Sequence, residues 1–174
     1  MKGLGHAVLS GQKLINGNVF GVVLADDLCV NEGLGVLQQM VKIYDSYKCS
    51  IIAVMEVDPV ETTKYGVIAG EMIGDDLIRV TDMVEKPGPE NAPSNLAVIG
   101  RYILTPDIFD ILSNQEPGKG GEIQLTDALK TQSRSGCVIA YKFKGKRFDC
   151  GAVEGFVEAT QHVFKNLYLK QENN

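Results

Sequence analysis

With 174 residues, 17 Lys+Arg against 22 Asp+Glu and a formal net charge of -5, the chain fits one folded domain and offers no broad electrostatic attraction to nucleic acid or an anionic membrane surface. No apolar run is long enough for a membrane-spanning helix, and the four cysteines, Cys29, Cys49, Cys137 and Cys150, lack the close pairing of a zinc site. No secretory leader is evident, so the expectation is a soluble, cytoplasmic protein with reduced thiols, meeting neither nucleic acid nor membrane.

Residues 18–25 read as a buried strand, 34–47 as an amphipathic helix and 50–57 as a second buried strand. Leu34, Leu37, Met40, Val41, Tyr44 and Tyr47 recur near the helical period, while the flanking runs are short and rich in valine and isoleucine. Together they predict a β-α-β unit with parallel strands. Beyond Pro59, residues 65–69, 77–84 and 96–104 read as successive strands between turn-rich stretches at 70–76 and 86–94. Thr105-Pro106-Asp107 predicts a short helix with Thr105 as N-cap and Pro106 at the first helical position; residues 122–130 predict another helix and 138–143 a strand. Residues 153–169 predict a helix packed on the sheet through Phe156, Val157, Ala159, Val163, Phe164 and Leu167, followed by a frayed tail at 171–174. No repeat, low-complexity segment or linker divides residues 1–174. The expected class is α/β, a mixed, mostly parallel β-sheet flanked by helices.

Candidate chemistry gathers where the apolar runs stop. Val84-Glu85-Lys86-Pro87 ends a strand with an acceptor suited to sugar hydroxyls and a compact cation suited to a phosphate. Strand side chains alternate, so Glu85 and Lys86 leave on opposite sides unless the backbone breaks, and Pro87 favours an extended Lys86. The plain alternative is a surface ion pair worth about 0–1 kcal/mol. Asp26-Asp27 closes the first strand at its carboxyl end, where open α/β sheets place ligands, and Asp149 follows Phe148 ahead of Cys150-Gly151. A hard cation such as Mg2+ takes oxygen ligands of this kind, usually one or two carboxylates plus substrate phosphates. Taken singly, each aspartate reads equally well as a cap or turn residue. Gly66, in Tyr65-Gly66-Val67, either lets a sugar ring approach the backbone or marks a bulge.

Other patterns carry less. Gln38 stands where a dinucleotide fingerprint after Gly33-Leu34-Gly35 needs glycine, and Gly118-Lys119-Gly120-Gly121 lacks the P-loop order. His6 and His162 are the only histidines, which leaves little for a nucleophilic triad, and Leu28 after Asp27 departs from the acid pair of an aspartyl phosphatase.

Lys2-Gly3-Leu4-Gly5-His6-Ala7-Val8, Tyr65-Gly66-Val67, Val84-Glu85-Lys86-Pro87, Ser94-Asn95-Leu96-Ala97, Gly100-Arg101-Tyr102, Gly121-Glu122-Ile123-Gln124-Leu125-Thr126-Asp127-Ala128 and Asp149-Cys150-Gly151 follow one another along the chain. In these segments and their order, the chain resembles the bacterial UTP-glucose-1-phosphate uridylyltransferases of the sugar nucleotidyltransferase superfamily. The resemblance implies a nucleotide-diphospho-sugar transferase-like fold and the formation of UDP-glucose and pyrophosphate from UTP and glucose-1-phosphate. It implies that Asp26 and Asp149 hold Mg2+, that Glu85 and Gly66 contact the glucose, that Lys86 contacts its phosphate and that the backbone at Gly3 borders the uracil. Asn95 and the segment from Glu122 to Thr126 would support the sugar pocket, with Asp27 bordering the site. Asp26, Lys86 and Asp149 form the implied catalytic set.

The family begins with a strand and a glycine-rich loop whose arginine and lysines embrace the triphosphate, and nothing like it precedes residue 2, so the chain resembles the carboxyl-terminal part, lacking the first β-α elements. Ala25 also stands where the family often has proline. The expectation is little or no activity from this chain alone, with open strand edges that invite a homo-oligomer or pairing with a separate amino-terminal piece. Two alternatives are a non-catalytic sugar-phosphate-binding or assembly module and a related nucleotidyltransferase using dTTP or another sugar; Lys2 to Val8 and Glu122 to Ala128 favour the uridylyl family over the latter.

Overall fold

The computed structural model describes residues 2–134, 136 and 138–168 of the chain. Cys137 and the expected fraying of residues 171–174 lie outside the described residues. In chain order the elements are α1 (Leu4–Ser10), α2 (Gln12–Ile15), β1 (Phe20–Val23), β2 (Asp27–Val30), α3 (Val36–Tyr47), β3 (Ser50–Glu56), β4 (Gly66–Met72) and β5 (Leu77–Glu85). Then follow β6 (Leu96–Leu104), α4 (Ile108–Ser113), α5 (Leu125–Ser133), β7 (Val138–Lys142), β8 (Lys146–Asp149) and α6 (Val153–Val163), which runs on as a π-helical turn over Phe164–Tyr168.

Among the described residues, six strands form one sheet in the order β1-β6-β3-β7-β5-β4, and β2 and β8 form a separate ribbon. The sheet is mixed, as its sequence predicts, but "mostly parallel" holds only for strand direction. The hydrogen-bonded neighbours β3 and β7 run parallel, whereas β1–β6, β3–β6, β4–β5, β4–β6 and β5–β7 are antiparallel. The predicted β-α-β unit exists as β1-α3-β3, yet its strands are not neighbours, because β6 returns between them and pairs with both.

Period-two alternation explains the two-sided core. Ile52 and Val54 of β3, Val98, Tyr102 and Leu104 of β6, and Val138 and Ala140 of β7 pack on one face with Phe109 and Leu112 of α4 and Leu125, Ala128 and Leu129 of α5. The intervening Ile51, Ala53, Ile99, Ile103, Ile139 and Tyr141 pack on the other face with Val36 and Met40 of α3. Strands covered on both faces read as continuous apolar runs, which is why β3 and β6 stand out in the sequence.

Three helices depart from their sequence reading. The buried stripe of α3 is Val36 and Met40, flanked by Leu37, Ile43 and Tyr44, while Val41 and Tyr47 face solvent and Leu34 precedes the helix. Thr105 does not cap α4. The helix starts two residues after Pro106, and the Thr105 hydroxyl instead meets Ser50 Oγ at 3.1 Å and accepts from Gln132 Nε2 at 3.0 Å. α6 lies against β8 rather than on the large sheet, with the Phe148 and His162 rings 5.1 Å apart; Val153, Phe156, Val157 and Phe164 remain exposed.

Candidate active site

The β2–β8 ribbon brings acids distant in sequence together. Its antiparallel register sets Asp27 opposite Asp149, and the Cys150 N–H donates to Asp26 O at 2.7 Å. A Cβ added at Gly151 would lie 3.2 Å from Asp149 Oδ1 and 3.2 Å from Asp26 Oδ2, so the two carboxylate oxygens are no more than twice that distance apart. Glycine leaves that space open. The Asp26 carboxylate is exposed and takes no hydrogen bond among the described residues, whereas Asp149 Oδ1 accepts from the Gly151 N–H at 3.2 Å.

Asp27 is differently placed. It is 6% exposed; its Oδ2 accepts from the Gly100 N–H at 2.7 Å and its Oδ1 accepts from Arg147 Nε. Arg147 also donates to the Tyr65 hydroxyl at 2.9 Å, stands over that ring at 5.1 Å and reaches Asp149 Oδ2 at 3.3 Å. Burial works against the guanidinium charge, but hydrogen bonds from Arg147 to Tyr65 and Asp27 and the Asp27 charge outweigh it and hold the pKa above the usual arginine value. Arg101 fixes the turn before β2 by donating to Leu24 O at 3.2 Å, Gly100 O at 2.8 Å and Asp27 O. With both oxygens engaged, Asp27 is a buried structural anion at the edge of the cavity.

Across the cavity, β4 and β5 pair Gly66 with Glu85. Thr126 Oγ1 at the start of α5 donates to Glu85 Oε2 at 2.6 Å. A Cβ on Gly66 would fall 2.9 Å from Thr126 Oγ1 and 3.3 Å from Glu85 Oε2, so close approach, not a bulge, accounts for this glycine; the register slips farther along, between Ala69 and Gly70. Lys86 is not extended. Its φ is 48°, in the left-handed region, where its N–H donates to Tyr65 O at 2.9 Å while Lys119 Nζ donates to Lys86 O at 2.6 Å. This break in strand geometry lets consecutive side chains share one cavity instead of diverging, and Lys86 Nζ lies 3.8 Å from Glu85 Oε1.

Asp26, Gly66, Glu85, Lys86, Glu122 and Asp149 therefore line one cavity of about 370 Å3, within the range of small-molecule sites. Gly3 stands one residue behind the lining residue Leu4: its φ is 93°, and a Cβ there would meet Ile123 O at 2.6 Å and Glu122 Cβ at 2.9 Å. Asn95, just before β6, is exposed and lies in a separate cleft with Glu56, Met72 and Lys142. Sequence reasoning left Arg147, Thr126 and Tyr102 without individual roles. Arg147 had a readable signal, since it precedes Asp149 by two positions and strand residues two apart share a face.

The donor set suits a hard divalent cation. Two carboxylates converge beside an open glycine, and among the described residues no three His, Cys, Asp or Glu side chains are grouped to hold a metal without help. Such a site leaves most of an octahedral shell to water and to phosphate oxygens, the usual arrangement for Mg2+. The remaining cavity presents Lys86 and Lys64 to anions and Glu85 and Glu122 to hydroxyls.

The chain is 69% identical over 169 residues to a UTP–glucose-1-phosphate uridylyltransferase of Pseudomonas aeruginosa, covering 97% of this chain and 61% of that protein. It is 45% identical to UTP–glucose-1-phosphate uridylyltransferase 1 of Staphylococcus saprophyticus, covering 98% of this chain and 60% of the relative. The fold superposes with a TM-score of 0.92 at 58% identity on a UDP-glucose pyrophosphorylase complexed with UDP-glucose, covering 95% of this chain and 63% of that one. The chain thus spans about three fifths of the relatives it matches. The nucleotidyl transferase family model matches residues 1–166. With that match over nearly its whole length, the chain belongs to the nucleotidyl transferase family.

Proposed function

We propose that this cavity is the sugar-phosphate and cation half of a uridylyltransferase centre, which forms UDP-glucose and pyrophosphate from UTP and glucose-1-phosphate. The observation that carries the reading is the convergence of Asp26, Asp149, Glu85 and Lys86 on one cavity. A phosphate oxygen of glucose-1-phosphate attacks the α-phosphorus of UTP; that P–O bond forms as the bond from the α-phosphorus to the bridging oxygen breaks, and pyrophosphate carries away the electron pair. No protein nucleophile is needed, so alignment and charge neutralisation do the catalytic work.

Asp26 and Asp149 would hold Mg2+, which supplies positive charge at the phosphate oxygens when bound. Lys86 orients the attacking phosphate, and Glu85, held by the Thr126 hydroxyl, accepts hydrogen bonds from the glucose. Gly66 leaves room for the ring, Glu122 borders it, and the backbone near Gly3 flanks the uracil. A nucleoside triphosphate as co-substrate fits a cytoplasmic setting and a place in carbohydrate metabolism.

The three-fifths coverage favours a second reading, in which this chain alone binds the sugar nucleotide without turnover. β1 pairs with β6 on one side, and among the described residues its other edge is open, with Val23 52% exposed, a surface suited to a separate amino-terminal piece or another copy. Titration calorimetry with UDP-glucose plus Mg2+, beside a pyrophosphate-release assay, separates the readings. Binding with turnover supports the enzyme, binding without turnover supports the module, and no binding of UDP-glucose or glucose-1-phosphate refutes both.

A further inference from the structure

Helix α6 has an apolar stripe on each side. Ala159 is buried and the His162 ring stands beside Phe148, so one side lies on β8. On the other, Val153, Phe156, Val157 and Phe164 are 47–77% exposed, and the helical period gathers them on a single stripe. Thr160, in the middle of that stripe, donates its hydroxyl to Phe156 O at 2.8 Å and so presents a methyl group. An apolar groove of about 360 Å3 adjoins the stripe, lined by Leu28 and Cys150 of the ribbon side and by Phe156, Ala159, Val163 and Phe164 of the helix side. Single exposed apolar residues are ordinary on a protein surface, whereas a contiguous stripe beside a groove marks a contact surface.

We infer that this stripe binds a second copy of the chain, as an antiparallel, two-fold pair of α6 helices centred near Thr160. The charges point to a copy as the occupant. Glu154 and Glu158 lie toward the amino end of the helix and Lys165 toward its carboxyl end, all three exposed, on one flank of the stripe and without an ion-pair partner among the described residues. A two-fold axis keeps that flank on the same side of the pair and reverses its direction, so Glu154 of each copy meets Lys165 of the other and the ion pair forms twice. The same operation sets Phe156, four positions before Thr160, against Phe164 of the second copy, four positions after it, where the groove receives the rings. Parallel packing would instead set acid on acid. This surface is separate from the open edge of β1 and from the cavity, so the inference does not depend on the sugar-phosphate reading. One helix stripe is a small interface, below about 1,200 Å2 of total buried surface, which predicts a dimer in concentration-dependent exchange with monomer.

Analytical ultracentrifugation of the full chain over a range of concentrations, at low salt, tests this with Phe156→Asp, Glu154→Lys, Lys165→Glu and the double charge reversal. All three positions are exposed, which leaves the fold intact. Phe156→Asp is expected to weaken the dimer by about tenfold or more. Each single reversal should weaken it by about three- to tenfold, because it breaks two symmetry-related pairs and brings like charges together. The double reversal should return the dimer to its wild-type strength. It also opposes the dipole of α6, so that recovery cannot come from a better helix. A wild-type chain that stays monomeric up to about 1 mM overturns the inference and leaves the stripe to a different chain. A dimer that Phe156→Asp leaves unchanged overturns it as well, placing the contact elsewhere, as at the β1 edge, and so does a double reversal no stronger than the single ones.

Discussion

Substituting Asp27 by asparagine removes one member of a buried ion pair whose other member cannot neutralise itself. Asp27 is 6% exposed and the Arg147 side chain 8%, so the guanidinium would face an amide inside the protein. Breaking a buried pair on one side costs about 3–5 kcal/mol. Arg147 keeps Tyr65 at 2.9 Å and Asp149 at 3.3 Å, and the asparagine carbonyl can still accept from the Gly100 N–H, which argues for the lower end, about 3 kcal/mol. For a domain of this length that corresponds to a fall in melting temperature of about 6–12 °C. Urea unfolding of the wild-type chain, Asp27→Asn, Arg147→Met and the double variant measures it directly, with a coupling of about 1.5–3 kcal/mol expected from the cycle. A loss below about 0.5 kcal/mol for Asp27→Asn, a value typical of an unconstrained surface site, would refute the argument that this carboxylate is a structural anion.

Lys86 holds a left-handed backbone, so Lys86→Gly should be more stable than Lys86→Ala by about 1 kcal/mol in chemical denaturation, while both lose affinity for UDP-glucose; equal stabilities would contradict the conformation. Gly66→Ala pushes on Thr126 Oγ1 and breaks its bond to Glu85, and calorimetry is expected to show UDP-glucose binding weakened by about tenfold or more, with about 1–2 kcal/mol of stability lost. Asp82 accepts from Lys130 across β5 and α5 at 2.7 Å, and chiefly that hydrogen bond holds its pKa below the usual carboxylate value. The folded state therefore binds this proton more weakly than the unfolded state: the pair contributes above about pH 4 and its contribution is lost as pH falls through the lower folded value. The melting-temperature difference between wild-type and Asp82→Asn, small because the pair is partly exposed, should vanish near pH 2; a difference independent of pH would exclude this linkage.

The elements legible in sequence are those whose burial repeats. β6 occupies residues 96–104 as its apolar run predicts, and β3 and β7 fall within one residue of theirs, because both faces of each are covered. α1 was not legible. Seven residues with a glycine at the second position have weak helical propensity, and the helix is fixed from outside, by the Gly5 N–H donating to Ile123 O at 2.9 Å and by packing so close that a Cβ at Gly5 would meet Leu112 at 2.8 Å. The four-residue strands of the ribbon are too short for periodicity to announce, although they determine which aspartate faces the cavity and which is buried. Lys86 went the other way from its local preference: a residue before proline favours the extended region, and the left-handed turn here is held by Tyr65 O, 21 positions upstream, and by Lys119.

Tyr65 shows why these long-range bonds matter to the site. Its carbonyl accepts from the Lys86 N–H at 2.9 Å and its hydroxyl accepts from Arg147 at 2.9 Å, with the guanidinium over its ring. One residue just before β4 thus touches both the backbone that aims Lys86 into the cavity and the cation that steadies Asp27 and Asp149. Strain at Lys86, of order 1–3 kcal/mol, persists only when the surroundings over-determine it, and two hydrogen bonds to its peptide groups do so. A lysine placed by such a turn needs little rearrangement when an anion arrives, which is what alignment-based phosphoryl transfer requires of its scaffold.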